Sequence, residues 1–315
     1  MEKNLLDIIA QSGIVGAGGA GFPTHVKLNA QAEYVIVNGA ECEPLLRVDQ
    51  QLMALESKKL CDALDLVKKA VGAKYAVIAL KSHYHDAIDS LNKVVPGYEG
   101  MRLHLMGNFY PAGDEQVMVY DVTGRIVPEG GIPLKCGVIV SNVETLLNIY
   151  DAYYEDKPVT DSYVTLTGEV RNRITVKLPL GITVKEALDL AGGVTVDGDF
   201  VVINGGPMMG NTQWDLDGTV TKGTSALLFF SDKYEKKAAP CCIHCGKCVS
   251  VCPMHLEPVY LALFAKSDDL DKCLDYNLMS CMECGSCSFI CPGNVPIVQY
   301  IREAKDKIKA KPKQQ

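Results

Sequence analysis

The sequence predicts a chain in three folded parts: an α/β layer domain, a small mixed α+β unit and a cysteine-rich helical region. Three observations carry this. Residues 1 to about 156 alternate short β-branched runs with helical patterns. Residues 160–232 read strand, strand, short helix, strand. Residues 238–311 hold most of the thirteen cysteines and show little strand character. The domains are placed at 1–156, 160–232 and 238–311, with "EDKPVTDS" (155–162) and "SDKYEKKAAP" (231–240) as linkers, both polar and proline-marked.

Composition fits a soluble chain: 315 residues, 48% hydrophobic and 22% charged, enough for a sizeable core. The net charge of −7 argues against a nucleic-acid partner. The tail "IREAKDKIKAKPKQQ" is basic and reads as a solvated helix end, with a docking surface for an acidic partner as the rival. No apolar run reaches the ~18 residues of a membrane helix. Asp7 interrupts the short apolar segment at the N-terminus, so no secretory leader is expected and a cytoplasmic location follows.

Along the first part, "NLLDIIAQSG" has the apolar spacing of an amphipathic helix turn. The glycine-rich "GIVGAGGAGFPTHVK" (13–27) follows it, and "AEYVIVNGAE" (32–41) is the next strand. A dinucleotide fingerprint stands directly after a first strand. Here the strand comes after the loop, so "GAGGAG" is read as something other than that fingerprint. Glycines still permit positive φ and close approach of backbone N–H groups to a phosphate; a purely structural turn is the competing reading. Phe22 is placed to lie against a flat heterocycle and Lys27 to meet a phosphate.

Asn38 ends the strand, where it can hydrogen-bond a ring edge. Glu41 and Glu43 follow in "NGAECEP" (38–44), suited to accept from ribose hydroxyls or an amide; an acid–base pair is the alternative. "RVDQQLMALESKKLCDALDLVKKAVG" (47–72) has helical spacing, and "AKYAVIAL" (73–80) and "GVIVSN" (137–142) are further strands. "FYPAGDEQ" (109–116) is a turn with two carboxylates, and in "SNVETL" (141–146) a strand ends at Asn142 and a helix begins near Glu144 and Thr145. His83 and His85 are read as belonging to a solvated turn. In the second part a strand turns at Pro179 and Gly181 into a helix ending at Gly192–Gly193, and "GGPMMG" (205–210) is a tight turn.

In the third part Cys242, Cys245, Cys248 and Cys252 are spaced C-x-x-C-x-x-C-x-x-x-C before Pro253. Cys281, Cys284, Cys287 and Cys291 repeat the spacing before Pro292. This is the spacing of two-cluster bacterial ferredoxins, in which the fourth cysteine of each run ligates the other cluster. Cys291 would then complete the cluster of Cys242, Cys245 and Cys248, and Cys252 that of Cys281, Cys284 and Cys287. A pair of zinc sites is the rival. Two [4Fe–4S] clusters imply transport of single electrons.

Taken in order, "GAGGAGFPTHVK", "NGAECEP", "YPAGDE", "NVET", "GGPMMG" and the two cysteine runs resemble the RnfC and PduS group of electron-transfer flavoproteins, relatives of the NADH-oxidising flavin subunit of complex I. "YVTLTGEVRNRITVKLPLGITVKEALDLAGG" resembles the β-grasp-like SLBB domain that follows in that family. The resemblance implies a complex I-like α/β flavin and NADH domain, then the SLBB domain, then a helical 2[4Fe–4S] ferredoxin-like domain. It implies FMN and NADH contacts at Gly16, Gly18, Gly19, Gly21, Phe22, Lys27, Asn38, Glu41, Tyr110, Gly113, Asp114, Asn142 and Thr145, with Glu43 and Glu115 as the catalytic carboxylates.

The implied function is oxidation of NADH through FMN and two [4Fe–4S] clusters, because a flavin can divide the electron pair of a hydride into the single electrons a cluster accepts. The partners implied are a redox protein or complex, with a corrinoid enzyme or membrane electron-transport subunits as candidates. The rivals are a relay or tethering subunit with a degenerate flavin site, and a cobalamin reductase. Ala40 and Ala17 depart from the complex I pattern, which has an aspartate and an arginine there, and they motivate the relay reading.

Overall fold

The computed structural model describes residues 4–19, 21–231 and 240–310. These form two compact units. One gathers the described residues up to 231 except 128–131; the other gathers 128–131 and 240–310. The first unit therefore holds both front modules, and most of the 231–240 linker lies outside the described residues.

The first module opens with α1 (Leu5–Gln11), the glycine loop and α2 (Thr24–Leu28). Then come β1 (Tyr34–Gly39), α3 (Val48–Leu55), α4 (Ser57–Ala70), β2 (Tyr75–Lys81) and α5 (His85–Val94). β3 (Met101–Met106), α6 (Glu115–Thr123), β4 (Val138–Asn142) and α7 (Val143–Tyr154) complete it. The strands form a parallel sheet in the order β3-β2-β1-β4. Both faces are covered, which is why β1 and β2 read as unbroken apolar runs rather than alternating ones. Val35, Val37, Ile78 and Leu80 face the helices α1, α3, α4, α5 and α7. Ile36, Val77, Val138 and Val140 face α6.

This topology places the functional loops. In a parallel sheet every strand points the same way, so the segments after β1, β2 and β4 all leave at one edge, the edge where such sheets bind ligands. The loop after β1 carries Asn38 to Glu43, and β4 runs straight into α7. The 47–72 segment is two helices that meet at Glu56, whose φ of −116° and ψ of 28° break the run.

The second module has β5 (Asp161–Gly168), β6 (Ile174–Pro179), α8 (Val184–Leu190), β7 (Phe200–Asn204), β8 (Asn211–Gln213) and β9 (Ala226–Ser231). Its mixed sheet runs β6-β5-β9-β7-β8, with β5 and β9 parallel. Thr183 and Glu186 form a reciprocal capping box that starts α8. Val164, Leu166, Ala187, Leu188 and Phe229 build the core beneath that helix.

The second unit is helical: α9 (Lys247–Ser250), α10 (Pro258–Lys266), α11 (Leu270–Asp275), α12 (Ser286–Phe289) and α13 (Ile297–Ala310). The backbone repeats as the sequence does. Left-handed residues at His244, Gly246 and His255 recur thirty-nine positions later at Glu283, Gly285 and Asn294. α9 and α10 recur at the same offset as α12 and α13. Leu261, Leu278, Ile297 and Ile301 pack between the halves. The last five residues of the basic tail lie outside the described residues.

Candidate functional site

At the ligand edge of the parallel sheet, the expected residues of the first module come together. The glycine loop is pinned at both ends. Gly16 N–H donates to the Phe22 carbonyl at 3.0 Å, closing the loop on itself. Ala17 N–H donates to Thr145 Oγ1 at 3.0 Å, tying the loop to the first turn of α7. Gly18 and Gly21 have φ of +64° and +66°, where a side chain is strained. A Cβ placed on Gly19 or Gly21 would meet nothing within 4 Å. At these two positions the bare backbone faces open space, whereas a Cβ on Gly18 would lie 3.5 Å from Ser225 Cβ. Phe22 stands beside it, 50% exposed.

Lys27 reaches the same edge. Its ammonium donates to the Val140 carbonyl at 2.9 Å and to Glu115 Oε1 at 3.2 Å. Three helix starts converge here, each capped by one of the expected residues. Glu41 Oε1 accepts from Val48 N–H at 2.7 Å and Asp49 N–H at 3.2 Å, opening α3. Asp114 Oδ1 accepts from Gln116 and Val117 N–H, opening α6. Asn142 Oδ1 accepts from Glu144 and Thr145 N–H, opening α7. Helix starts carry partial positive charge, and here it is met by the Glu41 and Asp114 carboxylates and the Asn142 amide oxygen.

Asn38 Nδ2 donates to the Gly113 carbonyl at 2.7 Å, fixing the 109–116 turn, which contains a cis Tyr110–Pro111 peptide. A Cβ on Gly113 would lie 3.2 Å from Cys42 Sγ, so the turn and the acidic loop are packed closely. Glu43 points to the second module: its carboxylate accepts from Met208 N–H at 3.0 Å and Met209 N–H at 2.8 Å. The "GGPMMG" turn is thus held by a carboxylate of the first module. The second module also supports the glycine loop, because the Lys222 ammonium donates to the Gly13 carbonyl.

Several neighbours went unread in the sequence. Burial pushes Asp49 well above the usual carboxylate range, and nearby Glu41 and Glu144 add to the effect; Asn142 Nδ2 donates to its Oδ2 at 2.9 Å. Glu144 is buried and pushed up to about 7 by desolvation. Burial also lowers Lys81, at the end of β2, and raises Cys42. The one local signal for Lys81 is a lysine closing the run "YAVIAL". His83 and His85 are both exposed, in and just after a turn.

The residues fit a flavin nucleotide. The chain offers side-chain-free backbone facing open space at Gly19 and Gly21 and a cation at Lys27, at one sheet edge. Two glycines hold conformations that a larger residue disfavours.

In the second unit, Cys242, Cys245, Cys248 and Cys291 line one cavity. Cys252, Cys281, Cys284 and Cys287 line a second. Each cavity thus takes three thiols from one run and the fourth from the other. Among the described residues, no three Cys, His, Asp or Glu side chains converge closely enough to hold a single metal ion. Four sulfurs on one zinc lie about 3.8 Å apart, as tetrahedral Zn–S bonds of about 2.3 Å require. Thiols spread around a cavity suit a cube with one iron per thiolate. Backbone N–H groups of Leu256 and Glu283 donate to Cys252 and Cys281 sulfur, both at 3.4 Å. Such bonds help set a cluster's potential. Cys273 is buried and lines neither cavity, and Cys241 is exposed next to Cys242.

Two family models match the front of the chain. A Nuo51 FMN-binding domain model matches residues 9–151 and an SLBB domain model matches 163–212. The cobalamin reductase PduS of Citrobacter freundii is 42% identical over 81% of this chain and 58% of its own length. A subunit of the Na+-translocating ferredoxin:NAD+ oxidoreductase complex of Acetobacterium woodii is 41% identical over 96% of this chain and 69% of its own. The chain therefore spans under three fifths of the one relative and about two thirds of the other. A chain of an NAD+-reducing nickel–iron hydrogenase shares the fold, with a TM-score of 0.63 at 19% identity, covering 97% of this chain and 54% of that one. No helix among the described residues is long and apolar enough to cross a membrane.

Proposed function

The chain belongs to the family of RnfC-type subunits of ion-translocating oxidoreductase complexes and PduS-type cobalamin reductases, and from that premise we propose that it oxidises NADH at FMN and delivers single electrons through two [4Fe–4S] clusters to a redox partner. It is an electron-transport oxidoreductase with an FMN-binding domain and an SLBB domain. Bound to this chain, the flavin supplies the exchange between two-electron and one-electron chemistry, and the clusters supply relay.

The chain's own residues hold and orient. Thr145 fixes the glycine loop through Ala17 N–H, so the bare backbone at Gly19 and Gly21 faces the ligand. Lys27, steadied by Val140 and Glu115, presents a positive charge to the nucleotide phosphate. Asn38 holds the 109–116 turn against the acidic loop. Phe22 offers a flat apolar face to the nicotinamide. Glu41, Asp114 and Asn142 act by positioning, since their oxygens already accept from helix N–H groups. Glu43 does the same toward the second module, and Glu115 remains the carboxylate nearest the phosphate-facing lysine. In the second unit the two thiol sets hold one cluster each.

The observation that carries the reading is the sorting of eight thiols into two cavities of four, in a chain whose other unit is an FMN-binding domain. Full-length protein, purified and reconstituted anaerobically with FMN, iron and sulfide, should contain about eight irons. NADH should bleach its flavin absorbance. A protein that holds both clusters but takes up no flavin would favour the relay reading, for which Ala40 and the engaged oxygens of Glu41 and Glu43 speak. Adding cob(III)alamin to the NADH-reduced protein tests the acceptor, because one set of relatives is named for that reaction.

A further inference from the structure

We propose that Lys81 is the cation that meets the electron-rich pyrimidine edge of the flavin, and that it holds the reduced ring more tightly than the oxidised one. The inference rests on the flavin reading above and extends it to a residue outside the glycine loop and its caps.

Lys81 is the last residue of β2 and is only 7% exposed. A lysine this buried normally either sits against a carboxylate or carries its ammonium out to open space along a buried stem. None of the described residues is an ion-pair or hydrogen-bond partner of this ammonium. Every fully enclosed side-chain nitrogen among the described residues does have a partner. The small exposed remainder of Lys81 is therefore its ammonium, whose stem is buried and whose charge reaches open space. Burial lowers its pKa, with Cys42 and Glu41 the charges acting against that. Neither neutralises it: Cys42 is itself pushed up by burial, which keeps it a thiol, and Glu41 is committed to the start of α3.

The sheet register shows which ligand group is within reach. Gly39 pairs with Leu80, so Lys81 follows beside Ala40 at the ligand edge. Val77, Ala79 and Lys81 alternate onto the face that Ile36 and Val140 share, the face that carries the 109–116 turn. Strand order puts β1 between β2 and β4. Strands lie about 4.8 Å apart, so Lys81 stands roughly 10 Å across the edge from the β4 side, where Thr145 and Lys27 bind. With the phosphate on the glycine-loop side, the far side is left for the ring.

The chemistry gives the cation a purpose. Hydride transfer from NADH adds two electrons and one proton to a neutral ring and releases NAD+. The reduced ring then carries one negative charge until a second proton arrives. An ammonium with no other partner stabilises that form over the oxidised one, and the bound anion in turn relieves the ammonium's desolvation.

The test uses the full-length, cluster-loaded protein as wild type, Lys81→Met and Lys81→Arg. Affinities for oxidised FMN and riboflavin are read by flavin fluorescence, and the bound flavin's midpoint potential by anaerobic dye-linked titration. Lys81→Met is expected to lose at least tenfold in affinity for reduced relative to oxidised flavin, a fall of about 30 mV for a two-electron couple. Lys81→Arg should keep the wild-type potential. Should Lys81→Met fail to fold, Lys81→Gln is read in the same way. An unchanged midpoint in the charge-free variant overturns the proposal. So does selective loss of FMN while riboflavin binds as in wild type, since that would place Lys81 at the phosphate. A wild-type protein that takes up neither flavin overturns the flavin reading itself, a result distinct from both.

Discussion

Glu144 stands where the two front modules meet. Its Oε1 accepts from Ser162 Oγ and from Tyr163 N–H, both at 3.0 Å, and the residue is buried. Desolvation outweighs these two bonds and raises its pKa to about 7. Between the ordinary carboxylate value and about 7, the folded chain keeps a proton that the unfolded chain has released. Stability is then full below that window and falls as pH rises through it, by about 1.4 kcal/mol per unit of displacement. Asp49 and Glu41 are raised as well, so they add to the slope with the same sign. Melting temperature is thus expected to fall from about pH 4.5 to pH 7. Glu144→Gln should flatten part of that fall; parallel melting curves for variant and wild type would show the burial to be without effect. The sequence marks Glu144 only as part of a helix start. Its burial depends on β5, some twenty residues on, and no local pattern carries that.

The elements most legible in the sequence were those whose pattern is local. β1, β2 and β4 are buried on both faces and announce themselves as continuous apolar runs. The helix before the glycine loop, the strand after it and the turn from β6 into α8 were equally plain. β3 was not read, because an edge strand with Arg102 and His104 in it has no such run. The break at Glu56 leaves no mark in the sequence, because the apolar spacing continues through it. Glycines show the same contrast between what a pattern suggests and what packing decides. Gly19 and Gly206 both lie in glycine-rich stretches, yet a Cβ on Gly19 meets nothing within 4 Å while one on Gly206 would sit 2.2 Å from Glu43 Oε2. Gly19→Ala is expected to leave the melting temperature unchanged and weaken FMN binding at least tenfold, since its methyl group fills ligand space. Gly206→Ala should destabilise the front unit by about 1–3 kcal/mol, because Glu43 must give up its two N–H partners. Thermal melts alongside flavin titrations separate the two, and a reversed pattern would mean the open face of the loop is not where the nucleotide lies.

Across the whole molecule, the division of labour was visible in the order of motifs, while the wiring between them was only implied. Spacing proposes eight cysteines as ligands and leaves zinc open. The thiols' arrangement around two cavities favours cubes, and the thirty-nine-residue repeat of left-handed positions explains why both runs wrap a cavity alike. The repeat also makes the halves interdependent. Cys252 ends the first run but lines the cavity of the second run's other thiols, and Cys291 ends the second but lines that of the first run's. Neither set of four thiols is then complete without both halves packed through Leu261, Leu278 and Ile301. This crossed pairing, expected from the spacing and matched by the two cavities, has a spectroscopic consequence. Cys291→Ser should perturb the same cluster as Cys245→Ser, leaving the other cluster's signal in the reduced protein's electron paramagnetic resonance spectrum. Cys252→Ser should match Cys284→Ser in the same way. If Cys291→Ser instead matches Cys284→Ser, each run holds its own cluster and the crossed assignment fails. Should all four variants keep about eight irons with unaltered spectra, the thiols are not the ligands at all.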